Sequence, residues 1–318
     1  MIAKAEKAAS VLVTRSLSLK GRALVCNTLV LSKTWHVAKV FAPNNFQVAR
    51  LLAICTKYIW QNNHEKIARC NLQAPISKGG LNLLPITEQA LALQISDMLR
   101  IAHDPQPLWA RIIKYWLADS IRNIKPEWRN LLGNSALKHV IGKKPIQHTL
   151  LLPPLKFFCA TNTSKNENVR TIRSVLRSSV KLQIPGPTAQ DLFLKTQNEW
   201  KEIFDHNFET LGKPRHANIR FLFLHNALPS LKNIQKWTRN NNLDINCKGC
   251  GEPETTLHIF ECPRMFAVWT ECILAIHPTV DLNTLPTKLI TNPPKDLFIE
   301  TLIHETTHQI WLARNTPV

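Results

Sequence analysis

Apolar residues recur every three to four positions along much of the chain, which is the spacing of an amphipathic helix. The pattern is strongest in residues 45–61 and 86–103. It also predicts helices in the ranges 2–15, 19–39, 107–118, 188–209, 230–240, 263–276 and 295–313. Only Leu81 and Leu83, which alternate with Asn82, favour a short extended segment. The sequence therefore predicts a mainly α-helical fold.

The helical pattern weakens in residues 123–187, which prolines punctuate. A chain of 318 residues is long enough for two domains. We therefore expect a helical domain over 1–142, a linker or irregular connector over 143–190, and a second helical domain with a C-terminal helix over 191–318. No apolar run approaches the length of a membrane span, and no signal peptide is visible, so we expect no membrane association.

Positive charge dominates all but the last part of the chain. The net charge of +18 divides into +14 for residues 1–150, +8 for 151–250 and −4 for 251–318. Such a field attracts polyanions, of which we favour nucleic acid; solvated lysine-rich helix faces are the alternative. The candidate contacts are basic residues chosen from charge alone: Lys20, Arg22, Lys33, Lys39, Arg69, Lys78, and a stripe at helical spacing made of Arg170, Arg173, Arg177 and Lys181.

The pattern Cys247-x2-Cys250-x7-His258-x3-Cys262 places four metal-ligating residues within a short stretch. Zinc prefers four tetrahedral thiolate or imidazole ligands, and a set of four protein ligands leaves no position open for water or substrate. The spacing predicts one structural Zn²⁺, with Thr255 or Thr256 capping the helix that carries the last two ligands. The alternative is a chance grouping of cysteines and a histidine in a polar stretch.

Five further cysteines are scattered along the chain, and an odd, dispersed set does not suggest a disulfide framework. Cys26 and Cys55 fall in apolar helical patterns, which is typical of small core residues. This cysteine usage favours a reducing compartment, so we expect a nuclear or cytoplasmic location.

The zinc motif and its neighbours resemble one known family. Cys247-x2-Cys250, the run from Glu254 to Pro263, and the later Trp269 are similar to the reverse-transcriptase zinc-binding domain. That domain lies at the C-terminal end of non-LTR retrotransposon (LINE-type) polyproteins. The segments Arg220–Pro229 and Ile310–Asn315, the latter with the pattern Trp-x-Ala-Arg-Asn, resemble the sequences that flank the ligands in that family.

The N-terminal half carries a second part of the resemblance. The segment Leu17–Arg22, the pair Ile59-Trp60, and Pro75-x-x-Lys78-Gly79-Gly80 followed by an Ala/Leu-rich helix are similar to the region after the polymerase palm. The resemblance implies a helical thumb-like module followed by a small helical zinc-binding module. It also implies RNA or an RNA–DNA duplex as partner, and possible association with a polymerase encoded elsewhere.

Polymerase chemistry depends on carboxylates that hold two Mg²⁺ ions. In this family they include an adjacent Asp-Asp pair, and the sequence contains none. The nearest imitation, Asp119, stands alone after the thumb-like region, and we interpret it as a surface or capping residue. Because the chain starts at about the thumb, we expect a fragment of an RNA-directed DNA polymerase that is not itself an enzyme.

One pattern favours a different function. His304-Glu305-Thr306-Thr307-His308 satisfies the H-E-x-x-H motif of zinc metalloproteases. A third ligand usually follows downstream, but no His, Asp or Glu follows His308, and an upstream ligand has no support in the sequence. We therefore favour a solvated or partly packed histidine pair here. The leading prediction remains a zinc-containing, nucleic-acid-binding retrotransposon fragment, with a structural or protein-interaction remnant as the alternative.

Overall fold

The computed structural model describes residues 1–13, 16–61, 63–103, 115–116, 146–161, 168–178, 197–206, 213–276, 286–291 and 296–315. Among these residues the regular elements are helices. Besides the helices, the described residues form one isolated β-bridge, between Asn246 and Pro253. The predicted mainly α-helical fold is confirmed. Most of the helix predicted at 107–118 lies outside the described residues, as do Asp119 and Lys181.

The described N-terminal part contains eight α-helices and two short turns of other helical type. Ser18 caps the second helix, because its hydroxyl accepts a 3.1 Å hydrogen bond from the Gly21 N–H. A π-helical turn, Cys26–Val30, follows that helix, and a 3₁₀ turn lies at Ile76–Lys78. The helices are α1 (Ile2–Leu12), α2 (Leu19–Val25), α3 (Ser32–Ala38), α4 (Asn45–Ile59), α5 (Arg69–Leu72), α6 (Ile86–His103), α7 (Ile146–Thr161) and α8 (Val169–Ser178).

The described C-terminal part adds seven helices, among which α12 is a single turn that carries one predicted metal ligand and leads directly into another. They are α9 (Gln197–His206), α10 (Pro214–Leu224), α11 (Leu231–Thr238), α12 (His258–Glu261), α13 (Pro263–Ile276), α14 (Pro286–Thr291) and α15 (Leu297–Asn315). Among the described residues, no helix is both long enough and apolar enough to cross a membrane.

Two compact units share the chain, and their segments alternate along the sequence. The first unit contains Met1–Val11, Asn27–Cys55 and Leu84–Gln183, and the second contains Leu12–Cys26, Thr56–Leu83 and Ile184–Val318. Because each unit is built from separated segments, neither corresponds to one continuous range. The domain boundaries 1–142, 143–190 and 191–318 stay predictions.

The first unit has a core formed by α6, α7 and α8. Its buried residues are Ala92, Ile95, Leu99, Leu155, Phe158, Ile172 and Leu176. Both α7 and α8 lie within 143–190, where we expected a linker or irregular connector, so this part of that range is instead helical. Helix α7 continues through Pro153 and Pro154 although interior prolines oppose a helix, because its apolar residues pack against α6 and α8.

In the second unit, the Gly79-Gly80 turn packs against aromatic side chains of α9 and of the segment after α10. Gly79 has a positive φ of 76°, and a Cβ built there would lie 2.8 Å from Phe204 Cζ and 3.3 Å from His225 Cε1. The Phe204 ring stacks with His225, whose ring also lies against Phe221. Burial lowers the pKa of His225 to about 4, although a hydrogen bond with the Gly79 backbone opposes this.

A buried arginine joins α10 to α14. Arg220 donates from Nε to the Ile290 carbonyl and from Nη2 to the Thr291 carbonyl, both at 3.0 Å. These carbonyls lie at the C-terminal end of α14, where helix carbonyls have no partner within the helix. Burial lowers the pKa of Arg220 to about 10, and the nearby Glu300 carboxylate opposes that shift. Arg220 therefore acts as a side-chain cap in the interior of the unit.

Candidate metal centre

A tight turn brings the first two cysteines of the motif together. The Cys247 N–H donates to the Glu252 carbonyl at 2.7 Å, and the Gly251 N–H donates to the Cys247 carbonyl at 2.8 Å. Gly251 has a φ of 80°, which glycine adopts at low cost. The antiparallel bridge between Asn246 and Pro253 closes the turn. The two thiols therefore project from one compact loop.

The other two ligands come from α12 and the residue that follows it. The His258 N–H donates to the Thr255 hydroxyl at 3.0 Å, which is the capping role expected for Thr255 or Thr256. Helix α12 ends after a single turn, and Cys262 follows it in an extended conformation with φ −57° and ψ 132°. Pro263 then begins α13. The short helix thus presents His258 and Cys262 to the cysteine turn.

The four ligand atoms all lie within 4.8 Å of one another. Cys262 Sγ lies 3.9 Å from Cys247 Sγ and 3.8 Å from Cys250 Sγ, and Cys250 Sγ lies 3.3 Å from His258 Nε2. A tetrahedral zinc ion with its usual ligand distances separates two sulfurs by about 3.8 Å, and a sulfur and a nitrogen by about 3.5 Å. The Cys₃His group could therefore hold one zinc ion.

The surroundings of the Cys247 and Cys262 thiols shift their pKa values in opposite directions. Burial raises the pKa of Cys247, but the hydrogen bonds that it accepts from the Gly249 N–H and from His258 outweigh burial and lower that pKa to about 7. Burial and the neighbouring sulfurs raise the pKa of Cys262 to about 11. A bound cation favours the thiolate form of each of the three cysteine ligands, because metal binding displaces the thiol protons.

A buried carboxylate holds the cysteine turn against two other elements. Glu254 Oε1 accepts a 2.9 Å hydrogen bond from the Leu231 N–H at the start of α11. The same oxygen accepts hydrogen bonds from Nε and Nη2 of Arg314, near the end of α15. Both charged residues lie within the family-like segments, but the sequence predicted no role for either. Two features of the sequence could have indicated these roles: Glu254 is an acidic residue between metal ligands, and Arg314 lies in a mostly apolar helix.

Asn233 on α11 makes a second connection to the region of the metal ligands. Its Nδ2 donates to the carbonyls of Asn226 and Leu228 at 2.9 and 2.7 Å, and lies 3.1 Å from the hydroxyl oxygen of Thr256. The turn after α10 is thereby tied to the loop that leads into α12. Together, Glu254 and Asn233 fix the position of the ligand-bearing segments.

Apart from the Ala/Leu-rich helix α6, the segments that resemble the retrotransposon family belong to the second unit, together with the metal ligands. The Leu19 N–H donates to Asn218 Oδ1 of α10 at 2.7 Å, and Arg22 Nη1 donates to the Ile59 carbonyl at 2.8 Å. Residues that are far apart in sequence therefore contact one another within this unit. Arg22 was predicted to contact nucleic acid, but its guanidinium is half-buried and burial lowers its pKa.

Of the other predicted nucleic-acid contacts in the second unit, Lys78 and Arg69 are exposed and Lys20 is half-buried. Arg69 forms a 2.6 Å ion pair with Glu65. In the first unit, Lys33, Lys39 and Arg170 are exposed, and Lys39 Nζ lies 3.9 Å from Asp97. The exposed lysines and arginines retain access to a polyanion.

The basic stripe on α8 is only partly directed toward solvent. Arg173 donates to Gln89 Oε1 on α6 at 2.6 Å, and Arg177 lies 3.6 Å from Glu88 Oε1. Burial lowers the pKa of Arg173, and the charges of Arg170 and Arg177 lower it further. Two members of the stripe therefore attach α8 to α6, whereas Arg170 remains exposed.

The histidines of the H-E-x-x-H pattern lie on α15, and both are buried instead of solvated. His304 Nε2 lies 3.5 Å from Glu300 Oε1, and Glu300 also pairs with His206 at 2.8 Å. Glu305 and His308 instead group with His216 of α10. This arrangement differs from the metalloprotease motif, in which both histidines bind one ion and the glutamate acts as base.

Comparison with known proteins finds similarity to a transposon protein. The "Transposon TX1 uncharacterized 149 kDa protein" of Xenopus laevis is 28% identical to the chain over 97 residues. The match covers 30% of the chain and 7% of that protein, so the chain spans a small part of its relative's length. No family model matches the chain. The chain therefore has a transposon-related homologue and a Cys₃His group with the spacing that zinc requires.

Proposed function

We propose that the chain is the C-terminal part of a LINE-type retrotransposon reverse transcriptase, with a thumb-like helical region and a reverse-transcriptase zinc-binding domain. It binds RNA or an RNA–DNA duplex and holds one structural zinc ion. The observation that carries this proposal is that family-like segments from both halves of the chain belong to the same compact unit as the Cys₃His group. The match to a transposon protein supports a retrotransposon-derived origin.

Zinc has a structural role in this proposal. Cys247, Cys250, His258 and Cys262 supply all four ligands, so the ion has no open position for substrate. The ligand-bearing segment has a single turn of helix, and apart from the ligand Cys262 only Ile259 and Phe260 are buried apolar side chains there. A structural zinc ion contributes about 10 kcal/mol or more to the folding of comparable modules. The ion therefore stabilises the loop that Glu254 attaches to α11 and α15.

Nucleic-acid binding rests on charge. The net charge of +18 is concentrated in residues 1–250. Exposed cations such as Lys33, Lys78 and Arg170 are suited to phosphate contacts, which supply most sequence-independent affinity. The 318 residues contain no Asp-Asp pair, so polymerisation is not part of the activity that we propose for them. A polymerase encoded elsewhere is a candidate partner, in the nucleus or the cytoplasm.

A second candidate function is protein interaction without nucleic-acid binding. The observation that favours it is a group of large apolar side chains on the first unit that are exposed: Val40 at 60%, Phe41 at 60% and Phe46 at 74%. These three residues lie close together in sequence, from the end of α3 to the first turn of α4, and contiguous exposed apolar surface commonly marks sites of association. In addition, Arg173 and Arg177 contact Gln89 and Glu88 inside the first unit, so these two arginines are less available to a nucleic acid.

A salt titration of RNA binding separates the two functions. We expect the full chain to bind single-stranded RNA. The logarithm of the binding constant, plotted against the logarithm of salt concentration, should have a slope of about −0.7 per phosphate contact. Lys33→Gln combined with Lys78→Gln should reduce that slope by about 1 to 1.5, because two contacts are removed. Fluorescence anisotropy across a range of salt concentrations measures both quantities.

The matched control for this titration is Lys288→Gln, which removes an exposed lysine from the acidic last part of the chain. This variant should retain the wild-type slope. Absence of binding at low salt would favour the protein-interaction function over nucleic-acid binding. A change of slope in the control as large as in the double variant would instead place the phosphate contacts elsewhere on the chain.

A further inference from the structure

A second cluster of metal-ligating side chains lies between α10 and α15. His216 Nε2 of α10 lies 3.1 Å from Glu305 Oε2, and His308 Nδ1 lies 3.8 Å from Glu305 Oε1. One ligand atom from each of the three residues lies within 4.8 Å of the other two. The centroids of the His216 and His308 rings are 5.5 Å apart, with the rings tilted by 58°. Two imidazoles and one carboxylate therefore converge on one point.

The ring nitrogens at this point are buried, and among the described residues Glu305 is the only polar group that the structure places beside both of them. His216 is 3% exposed and His308 is 6% exposed, yet His216 Nε2 and His308 Nδ1 both lack a hydrogen-bond partner. The nearby Glu305 oxygens lie within ion-pair distance of both nitrogens, and the interaction with Glu305 opposes the effect of burial on the pKa of each histidine. A buried polar atom without a full partner costs about 1 to 3 kcal/mol, so a cation bound by these nitrogens and Glu305 would offset a cost that the protein alone offsets only in part.

We propose that His216, Glu305 and His308 form a second metal site, which binds a divalent first-row transition ion such as Zn²⁺. Imidazole ligands favour such ions over Mg²⁺ or Ca²⁺, which prefer oxygen. Ligands around such an ion at about 2.0–2.2 Å lie roughly 3 to 3.5 Å apart. The spacings from Glu305 to the two histidines are close to that range, so small side-chain movements complete the site.

The protonation of the cluster is compatible with a cation. Metal-bound histidines must be neutral and carboxylates ionised. Burial lowers the pKa of His216 to about 4 and also lowers the pKa of His308. A hydrogen bond from Lys213 lowers the pKa of Glu305 to about 2. At neutral pH the three groups therefore present two neutral rings and one negative charge.

Neighbouring cations limit the affinity of the site. Lys213 Nζ lies 2.9 Å from Glu305 Oε2 and Arg215 Nη2 lies 3.5 Å from Oε1, while Gln309 donates to Oε1 at 2.8 Å. An incoming ion must share Glu305 with these groups. Lys213 therefore competes directly with the metal, and its removal should strengthen binding. With three protein ligands, the ion also retains a coordination position for water.

The site differs from a metalloprotease centre because His304 is not among its ligands. The His304 ring stacks against His216 at 6.4 Å between centroids, but its Nε2 lies 3.5 Å from Glu300. The proposed ion instead joins α10 to α15 through one ligand from the first helix and two from the second. This inference is independent of nucleic-acid binding.

Titration of the full chain with Co²⁺, after the Cys₃His group has been saturated with Zn²⁺, tests the proposal. We expect one further equivalent of Co²⁺ per chain, with absorption that lacks a thiolate-to-cobalt charge-transfer band. His216→Asn and His308→Asn should each weaken this binding by more than the roughly 10–100-fold that loss of a second-shell partner costs. Lys213→Met should strengthen it several-fold.

The matched control is His304→Asn, which removes a buried imidazole from the same helix without removing a proposed ligand. Because the His304 ring stacks against His216, this variant should weaken binding slightly, and much less than His216→Asn or His308→Asn. The proposal is overturned if folded wild-type protein binds no second equivalent at millimolar Co²⁺, if His304→Asn weakens binding as much as His308→Asn, or if Lys213→Met has no effect. Because zinc occupies the thiolates throughout, the added Co²⁺ reports on the second site alone. These outcomes also do not depend on whether the chain binds RNA.

Discussion

At the scale of single residues, the ion pair between Glu254 and Arg314 connects the cysteine turn to the end of α15. Its side chains are 8% and 17% exposed, and the Glu254 carboxylate also caps the first N–H of α11. Arg314 lies 5.3 Å from the centre of the Trp311 ring. Removing one partner of a largely buried ion pair lowers stability more than replacing both residues, because the remaining charge is left without compensation.

We predict that Arg314→Met lowers the free energy of unfolding by about 2 to 4 kcal/mol, because it leaves Glu254 buried without its cation. Urea denaturation monitored by circular dichroism measures this change. Lys236→Met, which removes an exposed cation from α11, should cost less than about 0.5 kcal/mol. Adding Glu254→Gln to Arg314→Met should recover part of the loss, and strictly additive effects would contradict the pairing.

Associations between residues that are close in sequence were the easiest to predict. The four candidate zinc ligands lie within one short stretch, and their spacing alone indicated a common ion. The partnership of Glu254 with Arg314 spans 60 positions, and that of His216 with Glu305 and His308 joins two helices. Glu254 and Arg314 belong to no local pattern, and the H-E-x-x-H pattern that contains Glu305 and His308 gives no sign of His216. The partners in these contacts could therefore not be predicted from a single sequence.

At the scale of elements, two turns show different reasons for the presence of glycine. Gly79 and Gly251 both have positive φ, at 76° and 80°. A Cβ at Gly79 would meet Phe204 Cζ at 2.8 Å, whereas a Cβ at Gly251 would have no atom within 4 Å. Backbone conformation alone therefore requires glycine at 251, and backbone conformation combined with packing requires it at 79.

We predict that Gly251→Ala costs about 1 kcal/mol of unfolding free energy, which is the penalty for a left-handed alanine. Gly79→Ala should cost at least about 1 kcal/mol more, because Phe204 or the turn must also shift. Thermal and urea denaturation of the two variants, measured with zinc bound, give the comparison. Equal losses in both variants would exclude a packing role for the Gly79 turn.

Strong periodicity predicted some elements to the residue. Helices α6 and α13 begin and end where the apolar pattern indicated, at 86–103 and 263–276. Helix α7 was missed because Pro153 and Pro154 indicate a break in any local pattern. Its apolar side chains are buried against α6 and α8, and the free energy of that packing offsets the lost hydrogen bond. Tertiary packing therefore overrode the local propensity.

At the scale of the whole molecule, the proposed zinc ion acts on more than its own loop. The cysteine turn is attached to the start of α11 and the end of α15 through Glu254. The core of α6, α7 and α8 is a separate cluster in the other unit. Loss of the metal should therefore affect a defined subset of helices.

We predict that chelation of zinc increases amide exchange in residues 247–262, at the start of α11 and at the end of α15, and leaves α6, α7 and α8 unchanged. Cys250→Ser should release zinc and produce the same pattern, because one ligand is lost. Hydrogen exchange with mass spectrometry resolves these segments. Cys70→Ser, outside the ligand set, should keep both the zinc and the protection. Unchanged exchange in residues 247–262 after chelation would rule out a structural metal.

The membership of the two units was the part that the sequence could predict least. Periodicity grouped residues 17–83 with the first helical domain, whereas Leu12–Cys26 and Thr56–Leu83 belong to the unit that contains the metal ligands. The bond from the Leu19 N–H to Asn218 and the packing of Gly79 on Phe204 produce this association. Long-range pairings of this kind depend on shape and are invisible to local periodicity.

The hydrogen bond between Leu19 and Asn218 also sets an order of events during synthesis. Its two residues are 199 positions apart. A ribosome that adds about 5–20 residues per second therefore needs roughly 10–40 s to deliver the partner after Leu19 has been made. During that interval residues 12–26 and 56–83 lack the surface on which they finally pack. The second unit consequently completes its fold late, when its last segment leaves the ribosome.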